Sequence, residues 1–337
     1  MNVTLIGIDL AKSVFQVCGV NQAGKTVFNH QVKRAKLMQK LLTYPEATIA
    51  MEACSGSNYW GRELQRAGFK VLLIPPQHVK PFVKGNMNDR NDALAITEAS
   101  RRPHLHFVTP RSLEQTDILL VHRLIARQVH NRTALINQIR GFLNEYGLVV
   151  SAGKERLFNA LPMLLDTPEN GLTPMARDIL RQMFDTWRSL NQLIKNNEAL
   201  LKRQAKASEP ACRLMEIKGV AEKTATAMLA YAGEGKAFKN GRHFAANLGL
   251  VPTEHSSGGH QNLGRITRRG NEYLRRLLIQ GAWSVIRYVD VSDDRLSVWA
   301  KRVMERRGKH KAAVAVANKL ARIIWSMLFH QTSYRAS

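Results

Sequence analysis

The chain has 337 residues, 45% hydrophobic and 23% charged, which is the composition of a globular protein and excludes a disordered or fibrous one. Its 50 Lys and Arg residues outnumber its 26 Asp and Glu residues, and the resulting formal charge of +24 favours a polyanionic partner. Three widely separated cysteines argue against a zinc knuckle and a disulfide framework. No apolar run reaches the ~18 residues of a membrane span, so we expect a cytoplasmic protein with no membrane partner.

The first part of the chain has the pattern of an α/β domain. We predict strands over residues 3–8, 14–20, 25–32, 48–51 and 70–74, with helices over 33–43 and 57–67. Ser57 is the predicted N-cap of the second helix. This order matches the ribonuclease-H-like fold, in which the first and fourth strands lie side by side. Asp9 and Glu52, which end those two strands, should therefore lie on neighbouring strands.

A further pair of acids opens the next helix, predicted over 88–101. Asp89 and Asp92 are three residues apart and share one face of that helix. Asp89 alone would be interpreted as an N-cap, but a second acid one turn later cannot also be the cap. Together with Asp9 and Glu52, the pair predicts a Mg²⁺ site that works on phosphodiesters, because Mg²⁺ prefers carboxylate oxygens.

The middle of the chain is predicted to be helical, over 112–146 and 174–206, with a loop and a short helix between. Apolar residues in the second helix recur at alternating three- and four-residue steps, which fits an antiparallel helical hairpin, an intersubunit coiled coil or an ordinary core helix. The predicted domains are an α/β domain over 1–110, a helical coiled-coil linker over 111–207 and a mainly helical C-terminal domain over 208–337.

The C-terminal part holds most of the positive charge, since residues 211–337 carry 22 basic and 9 acidic side chains. We predict that five of its arginines contact nucleic acid: Arg265, Arg268, Arg269, Arg275 and Arg276. The turn over 217–220 resembles that of helix-hairpin-helix modules, which offer backbone N–H groups to a phosphate, although a plain helical turn fits equally. Helices are predicted over 272–289 and 310–330.

A polar, glycine-containing loop over 253–260 is a second candidate for chemistry. Ser256 and Ser257 precede two glycines in it, and arginines follow closely. A serine there could attack a phosphate while the guanidinium groups neutralise the developing charge. Taken in isolation, the same four residues are typical of an ordinary turn.

Six blocks of this sequence, in this order, resemble the DEDD transposases of the insertion sequence 110 family. They are Gly7-Ile-Asp-Leu-Ala-Lys12, Met51-Glu-Ala-Cys54, Asn88-Asp-Arg-Asn-Asp-Ala93, Ile217-Lys-Gly-Val220, Leu248-Gly-Leu-Val-Pro252, and Ser256-Ser-Gly-Gly259 with Gly264-Arg-Ile-Thr-Arg-Arg-Gly-Asn271. The resemblance covers nearly the whole chain. It implies a RuvC-like N-terminal domain, a coiled-coil linker and a C-terminal transposase domain.

The resemblance also implies an activity and partners. It implies a homo-oligomeric recombinase, a dimer or tetramer at the bacterial nucleoid, that is guided by a structured bridge RNA and joins DNA through a covalent phosphoserine. Carried onto this sequence, the four acids that bind Mg²⁺ are Asp9, Glu52, Asp89 and Asp92. The nucleophile is Ser257, with the adjacent Ser256 as the other candidate.

Two other classes of function use the same features. A Holliday-junction-type nuclease would employ the four acids with water as the nucleophile and would not need Ser257. A non-catalytic nucleic-acid-binding protein would need only the basic surface, and acids at strand ends would repel its ligand unless a metal bridged them. A sugar-kinase or actin-like ATPase also begins with a strand that ends in Asp, but the glycine-rich phosphate turn expected after it is absent.

Overall fold

A computed structural model of the chain describes residues 2–86, 88–105 and 107–335. The chain forms two compact units, Met1–Thr116 and Asp117–Ser337. The division into three domains made from the sequence remains a prediction.

The first unit is built on a five-stranded mixed sheet. Its strands are β1 (Leu5–Asp9), β2 (Val14–Val20), β3 (Thr26–Lys33), β4 (Thr48–Glu52) and β5 (Val71–Ile74), in the spatial order β3-β2-β1-β4-β5. The first three strands form an antiparallel meander, whereas β4 pairs in parallel with both β1 and β5. The ribonuclease-H-like α/β fold predicted from the order of elements is therefore confirmed.

Helices cover both faces of this sheet. They are α1 (Leu37–Leu41), α2 (Ser57–Arg66), α3 (Pro76–Val79) and α4 (Asp89–Ser100). Ile6 and Ile8 of β1 are fully buried in one cluster with α1 and α2, whereas Leu5 belongs to a second cluster with α3 and α4. This alternation along β1 is the period-two pattern of a strand that is buried on both faces.

The predicted N-cap of α2 is wrong. Gly56 occupies the position before the first helical residue, with a left-handed φ of 86° that favours glycine. Ser57 is already inside the helix, and its hydroxyl donates a hydrogen bond to the carbonyl oxygen of Cys54 at 2.8 Å. Ser57 therefore closes the turn that leads from β4 into α2.

Helix α4 lies directly against β1 at Gly7. A Cβ atom at this glycine would be 2.6 Å from Cγ2 of Thr97 and 2.8 Å from the carbonyl oxygen of Ala93. Only a residue without a side chain allows this approach. Asp89 lies one turn before Ala93 and Asp92 directly precedes it, so Gly7 determines how closely both acids approach the end of β1.

The second unit is mainly helical. Helix α5 (Leu113–Glu145) runs into it, and its other elements are α6 (Lys154–Asp166), α7 (Pro174–Ala207), α8 (Glu209–Met215), α9 (Glu222–Ala232), α10 (Gly241–Asn247), β6 (Pro252–Glu254), β7 (Leu263–Ile266), α11 (Glu272–Arg287), α12 (Arg295–Arg307) and α13 (Lys309–His330). The long helices and the two late helices were predicted. The sequence analysis did not identify α10, α12 or the β6–β7 hairpin.

The long helices α5 and α7 form an antiparallel hairpin within the chain. Arg132 of α5 donates to Asn191 of α7 at 3.1 Å, and Asn197 of α7 donates to Gln128 of α5, also at 3.1 Å. The later residue of α7 thus meets the earlier residue of α5, which is an antiparallel arrangement. The side-chain amide of Asn197 lies in the apolar seam of α7, and the buried Gln128 provides its hydrogen-bond partner.

Helix α13 is the central helix of the C-terminal core. Its length and hydropathy alone would allow it to cross a membrane. However, Ala317, Leu320 and Ile324 are fully buried in a cluster shared with α8, α9 and α11. Its apolar character is therefore explained by packing inside this unit.

We predict that Gly7→Ala destabilises the first unit by about 1–3 kcal/mol, because the added methyl group must push α4 away from β1. The measurement is amide hydrogen exchange of α4 together with the free energy of unfolding of the full chain. Gly141→Ala in α5 is the matched control, since no atom lies within 4 Å of the added Cβ there. It should be neutral or stabilising by up to about 1 kcal/mol. Equal effects of the two substitutions would contradict the close approach.

Candidate active site

Two acids end neighbouring parallel strands of the sheet. Asp9 is the last residue of β1 and Glu52 is the last residue of β4. The two strands pair in register up to Ile8 and Met51, so the acids follow immediately at the same edge of the sheet. The prediction that Asp9 and Glu52 lie on neighbouring strands is confirmed.

The second pair of acids lies in the first turn of α4. The helix is capped by Asn88, whose side-chain oxygen accepts a hydrogen bond from the backbone N–H of Asn91 at 2.9 Å. The interpretation of Asp89 as an N-cap is therefore wrong, because Asn88 already fills that position. Asp89 and Asp92 are left without a capping role and belong to the turn that precedes the contact with Gly7.

The four carboxylates share one electrostatic environment. Burial and the nearby charges of Asp92, Asp89 and Glu52 raise the pKa of Asp9 to about 6, from an ordinary value of 3.8. Burial and Asp92 also raise the pKa of Glu52, and burial and Asp89 raise that of Asp92. Like charges raise one another's pKa only when they are close together. These interactions define an electrostatic cluster of acids from two strands and one helix, and the convergence of all four on one metal ion stays a prediction.

This cluster is not a closed coordination shell. Across residues 2–86, 88–105 and 107–335, no group of three or more Asp, Glu, His or Cys side chains is close enough to hold a metal ion. The donor set nevertheless has the chemistry of a site for a hard divalent cation, since it consists of carboxylates alone. The Mg²⁺ assignment therefore remains a prediction.

The sequence analysis missed a polar network behind these acids. Gln16, which pairs with Asp9 across the sheet, is buried and donates to Asn29 of β3 at 2.6 Å. Asn29 in turn donates to the backbone carbonyl of Arg90 in the first turn of α4 at 3.0 Å. The network thus ties the turn that carries Asp89 and Asp92 to the meander. No sequence signal links residues so far apart, and only the strand register brings them together.

Lys80 is a second residue that the sequence analysis missed. Its charge lowers the pKa of Glu52 and so opposes the effects of burial and of Asp92. It lies in a short 3₁₀ helix after α3, Lys80–Phe82. No sequence pattern distinguishes one exposed lysine from the many others in a basic chain, so only the fold shows that Lys80 lies near Glu52.

The two candidate serines lie at the tip of the β6–β7 hairpin, where the sequence analysis placed a loop. The backbone N–H of His260 donates to the carbonyl oxygen of Ser257 at 3.0 Å, which closes a tight turn over Gly258 and Gly259. Both glycines have positive φ values, 56° and 80°. Turns with two such residues match the twist of a hairpin, which explains why both central residues are glycine.

The two serines differ in their hydrogen bonds. The Ser256 hydroxyl donates to the carboxylate of Glu254 at 2.6 Å and accepts from the backbone N–H of Asn262 at 3.1 Å. The Ser257 side chain is exposed, and no described residue forms a hydrogen bond with its hydroxyl. Ser256 therefore stabilises the hairpin, whereas the Ser257 hydroxyl has no hydrogen-bond partner among the described residues.

Four of the five arginines that were predicted to contact nucleic acid lie at the surface. Arg265, Arg268, Arg269 and Arg276 are exposed. Arg275 is only 9% exposed, and it donates to the carbonyl oxygens of Leu248 at 3.1 Å and Arg269 at 3.0 Å. The assignment of Arg275 to nucleic acid is therefore corrected, because its guanidinium holds the segment of Arg268 and Arg269 against the turn at Leu248.

The turn between α8 and α9 packs against the rest of the second unit. Gly219 has a φ of 87°, and a Cβ atom on it would be 2.6 Å from the carbonyl oxygen of Gly281 in α11. Lys218 forms an ion pair with Asp294 at 3.0 Å. A helix, turn and helix are present as predicted, and contact of this turn with a phosphate stays a prediction.

The fold and its acids define a class of protein. A sheet in the order 3-2-1-4-5, with acids ending its first and fourth strands and a further pair on the adjacent helix, is a ribonuclease-H-like domain suited to phosphodiesters. A family model described as a transposase of the DEDD type in the IS110 group matches residues 6–148, and one described as "Transposase IS116/IS110/IS902 family" matches residues 211–296.

Relatives match almost the entire chain. The "Transposase for insertion sequence element IS1111A" of Coxiella burnetii is 42% identical over 334 residues, which is 99% of this chain and 92% of the relative. The "Transposase for insertion sequence element IS1328" of Yersinia enterocolitica is 38% identical over 96% of both chains. A "Pilin gene-inverting protein" of Moraxella bovis is 24% identical over 97% of this chain and 96% of the relative. The chain belongs to the IS110 family of DEDD transposases, and it is a DNA transposase and recombinase of an insertion sequence.

We predict that Asp9→Asn raises the melting temperature of the metal-free protein at about pH 8, measured in EDTA. Because the folded pKa of Asp9 is raised to about 6, its ionised form disfavours folding, and stability is lost as pH rises through that value. The difference between variant and wild type should therefore shrink towards about pH 4, where Asp9 is protonated in the folded protein.

Glu46→Gln, which removes an exposed acid from the same unit, is the control and should change the melting temperature little at either pH. A melting temperature of Asp9→Asn at or below that of the wild type at about pH 8 would contradict the electrostatic cluster.

Proposed function

We propose that this transposase cuts and rejoins DNA strands through a covalent phosphoserine on Ser257, with Mg²⁺ held by Asp9, Glu52, Asp89 and Asp92. The observation that carries the proposal is the contrast between the two serines. Ser256 is committed to Glu254 and Asn262, whereas the hydroxyl of Ser257 is exposed at the tip of a glycine turn. A nucleophile that must approach a phosphate closely requires that freedom.

The proposed chemistry conserves the energy of the phosphodiester bond. The Ser257 oxygen forms a bond to phosphorus and the bond from phosphorus to the sugar oxygen breaks. The sugar oxygen takes up a proton from solvent, so the strand leaves with a free sugar hydroxyl. The serine proton passes to solvent or to a nearby base. Attack by a sugar hydroxyl of another strand then reverses these steps, so rejoining needs no external energy source. The family relative that is named for inverting a gene is consistent with such exchange.

The carboxylates fit a divalent cation by their charge. The pKa values of Asp9, Glu52 and Asp92 are raised by burial and by neighbouring carboxylates, and a bound cation would relieve that repulsion. Mg²⁺ bound to them would supply Lewis-acid stabilisation of charge on a phosphate. The exposed Arg268 and Arg269 would add guanidinium groups that neutralise phosphate oxygens.

Family membership and charge support a proposal for further partners. We propose that a structured bridge RNA guides the protein, that it acts as a homo-oligomer, a dimer or tetramer, and that it works in the cytoplasm at the nucleoid. A chain with a formal charge of +24 has the capacity to bind both DNA and RNA. Bacterial transposase relatives support the cytoplasmic setting.

The test is a search for DNA bound covalently to the protein. Wild type, Ser257→Ala and Ser256→Ala are each incubated with Mg²⁺, end-labelled DNA from the junction of the element and RNA transcribed from the element's noncoding region. After denaturation, label should migrate with wild-type protein and be absent from Ser257→Ala. Ser256→Ala should keep the covalent product, although in reduced amount, because it loses the hydrogen bonds of the hairpin tip.

Two outcomes would change the conclusion. Covalent product in Ser257→Ala but not in Ser256→Ala would move the nucleophile to Ser256. Cleavage by the wild type without any covalent product, and unchanged in Ser257→Ala, would identify a nuclease that uses water, as in Holliday-junction-type enzymes.

A further inference from the structure

The second unit contains a large cationic cavity beside the serine hairpin. Its volume is about 1560 Å³, and α12, α13, the start of α10 and strand β7 contribute to its wall. Six basic side chains line it: Arg242, Arg265, Arg268, Lys311, Lys319 and Arg322. The residues that line the cavity in the described part of the chain include no Asp or Glu.

These cations are not neutralised by the protein. Among the residues that the structure describes, no carboxylate lies within 4.0 Å of any of the six basic groups. Burial and the neighbouring Arg322 lower the pKa of Lys319, which means that its charged form is destabilised by the other charge in the cavity wall. A polyanion would offset that cost, because each phosphate placed there replaces repulsion by attraction.

Apolar side chains share the wall with the cations. Trp299, Ile266 and Ile323 line the cavity, and the Lys319 ammonium lies 4.1 Å from the centre of the Trp299 ring. Phosphates suit the basic groups, whereas the Trp299 ring and the two isoleucines offer apolar surface to unstacked bases. A duplex keeps its bases inside and offers only phosphates and groove edges, so it cannot use such a concave apolar wall.

The size of the cavity also favours a polymer. Pockets for small molecules have volumes of about 300–1,000 Å³, and this cavity is larger. A Cβ atom on Gly241 would be 3.1 Å from Cα of Arg322, so the start of α10 packs directly on α13 there. The wall that holds Arg242 and Arg322 is therefore built on packed helices.

We propose that this cavity binds an unpaired segment of the DNA strand that is being exchanged. DNA is favoured because Gly264, Arg265 and Ile266 of β7 line the cavity, and β7 belongs to the hairpin whose tip carries Ser257. A strand held in the cavity would thus continue towards the nucleophile. This inference rests on the proposed function, because it assumes that Ser257 attacks DNA.

The test is equilibrium binding of labelled oligonucleotides to the full chain, measured by fluorescence anisotropy over a series of salt concentrations. A thymidine oligonucleotide of about 12 residues, a DNA duplex of equal length and the matching uridine RNA are compared. All proteins carry Ser257→Ala and the buffer contains EDTA, so binding is independent of catalysis. Failure of this proposal is therefore distinguishable from failure of the covalent mechanism.

Lys319→Gln with Arg322→Gln removes two cavity charges. We expect at least about a tenfold loss of affinity for single-stranded DNA and a salt slope smaller by about 1.4, which corresponds to two phosphates. Arg181→Gln with Arg188→Gln removes the same charge from the exposed surface of α7, and it should change affinity less than about twofold. Trp299→Leu should weaken binding of single strands while leaving duplex binding unchanged.

Three results would overturn the proposal. Equal losses in the cavity variant and the α7 control would show that only overall charge matters. Duplex bound as tightly as single strands, and weakened equally by the cavity variant, would assign the cavity to general duplex binding. Preference for the uridine RNA, lost in the cavity variant, would assign it to RNA.

Discussion

The close approach of α4 to β1 at Gly7 is the contact on which the acidic site depends. Strand pairing alone brings Asp9 and Glu52 together, because both end parallel neighbours. The other two acids arrive on a helix, and any side chain at Gly7 would meet Thr97 and Ala93. The network from Gln16 through Asn29 to Arg90 stabilises the same arrangement from the meander side. The fold thus offsets the repulsion between carboxylates with backbone packing and a hydrogen-bond network that begins at the buried Gln16.

Each of the two units holds one cluster of like charges. The first unit concentrates acids that raise one another's pKa, and the second concentrates cations without acidic partners among the described residues. Each arrangement is unfavourable by itself and becomes favourable with a ligand of opposite charge, a divalent cation for one and a polyanion for the other. Two such clusters of like charge are typical of a protein that acts on nucleic acid.

Patterns that are local in sequence were predictable. Hydrophobic strands with acidic ends predicted the order of the sheet and the position of Asp9 and Glu52 on neighbouring strands. The serine, glycine and arginine residues indicated the loop that carries Ser256 and Ser257 as a second candidate site. The predictions that were wrong depend on residues distant in sequence, or on which of two adjacent residues caps a helix. Asn88 rather than Asp89 caps α4, and Gly56 rather than Ser57 precedes α2. Arg275 has the same sequence context as the neighbouring exposed arginines, but its guanidinium donates to two backbone carbonyl groups.

The central claim is that the four acids form one site for a divalent cation. The most direct measurement is anomalous X-ray diffraction from crystals of the full chain soaked in Mn²⁺, a scattering substitute for Mg²⁺ with similar preference for carboxylate oxygens. We expect anomalous density among Asp9, Glu52, Asp89 and Asp92, and its loss in crystals of Asp9→Asn. Density elsewhere on the protein, with none between these carboxylates at saturating Mn²⁺, would contradict it.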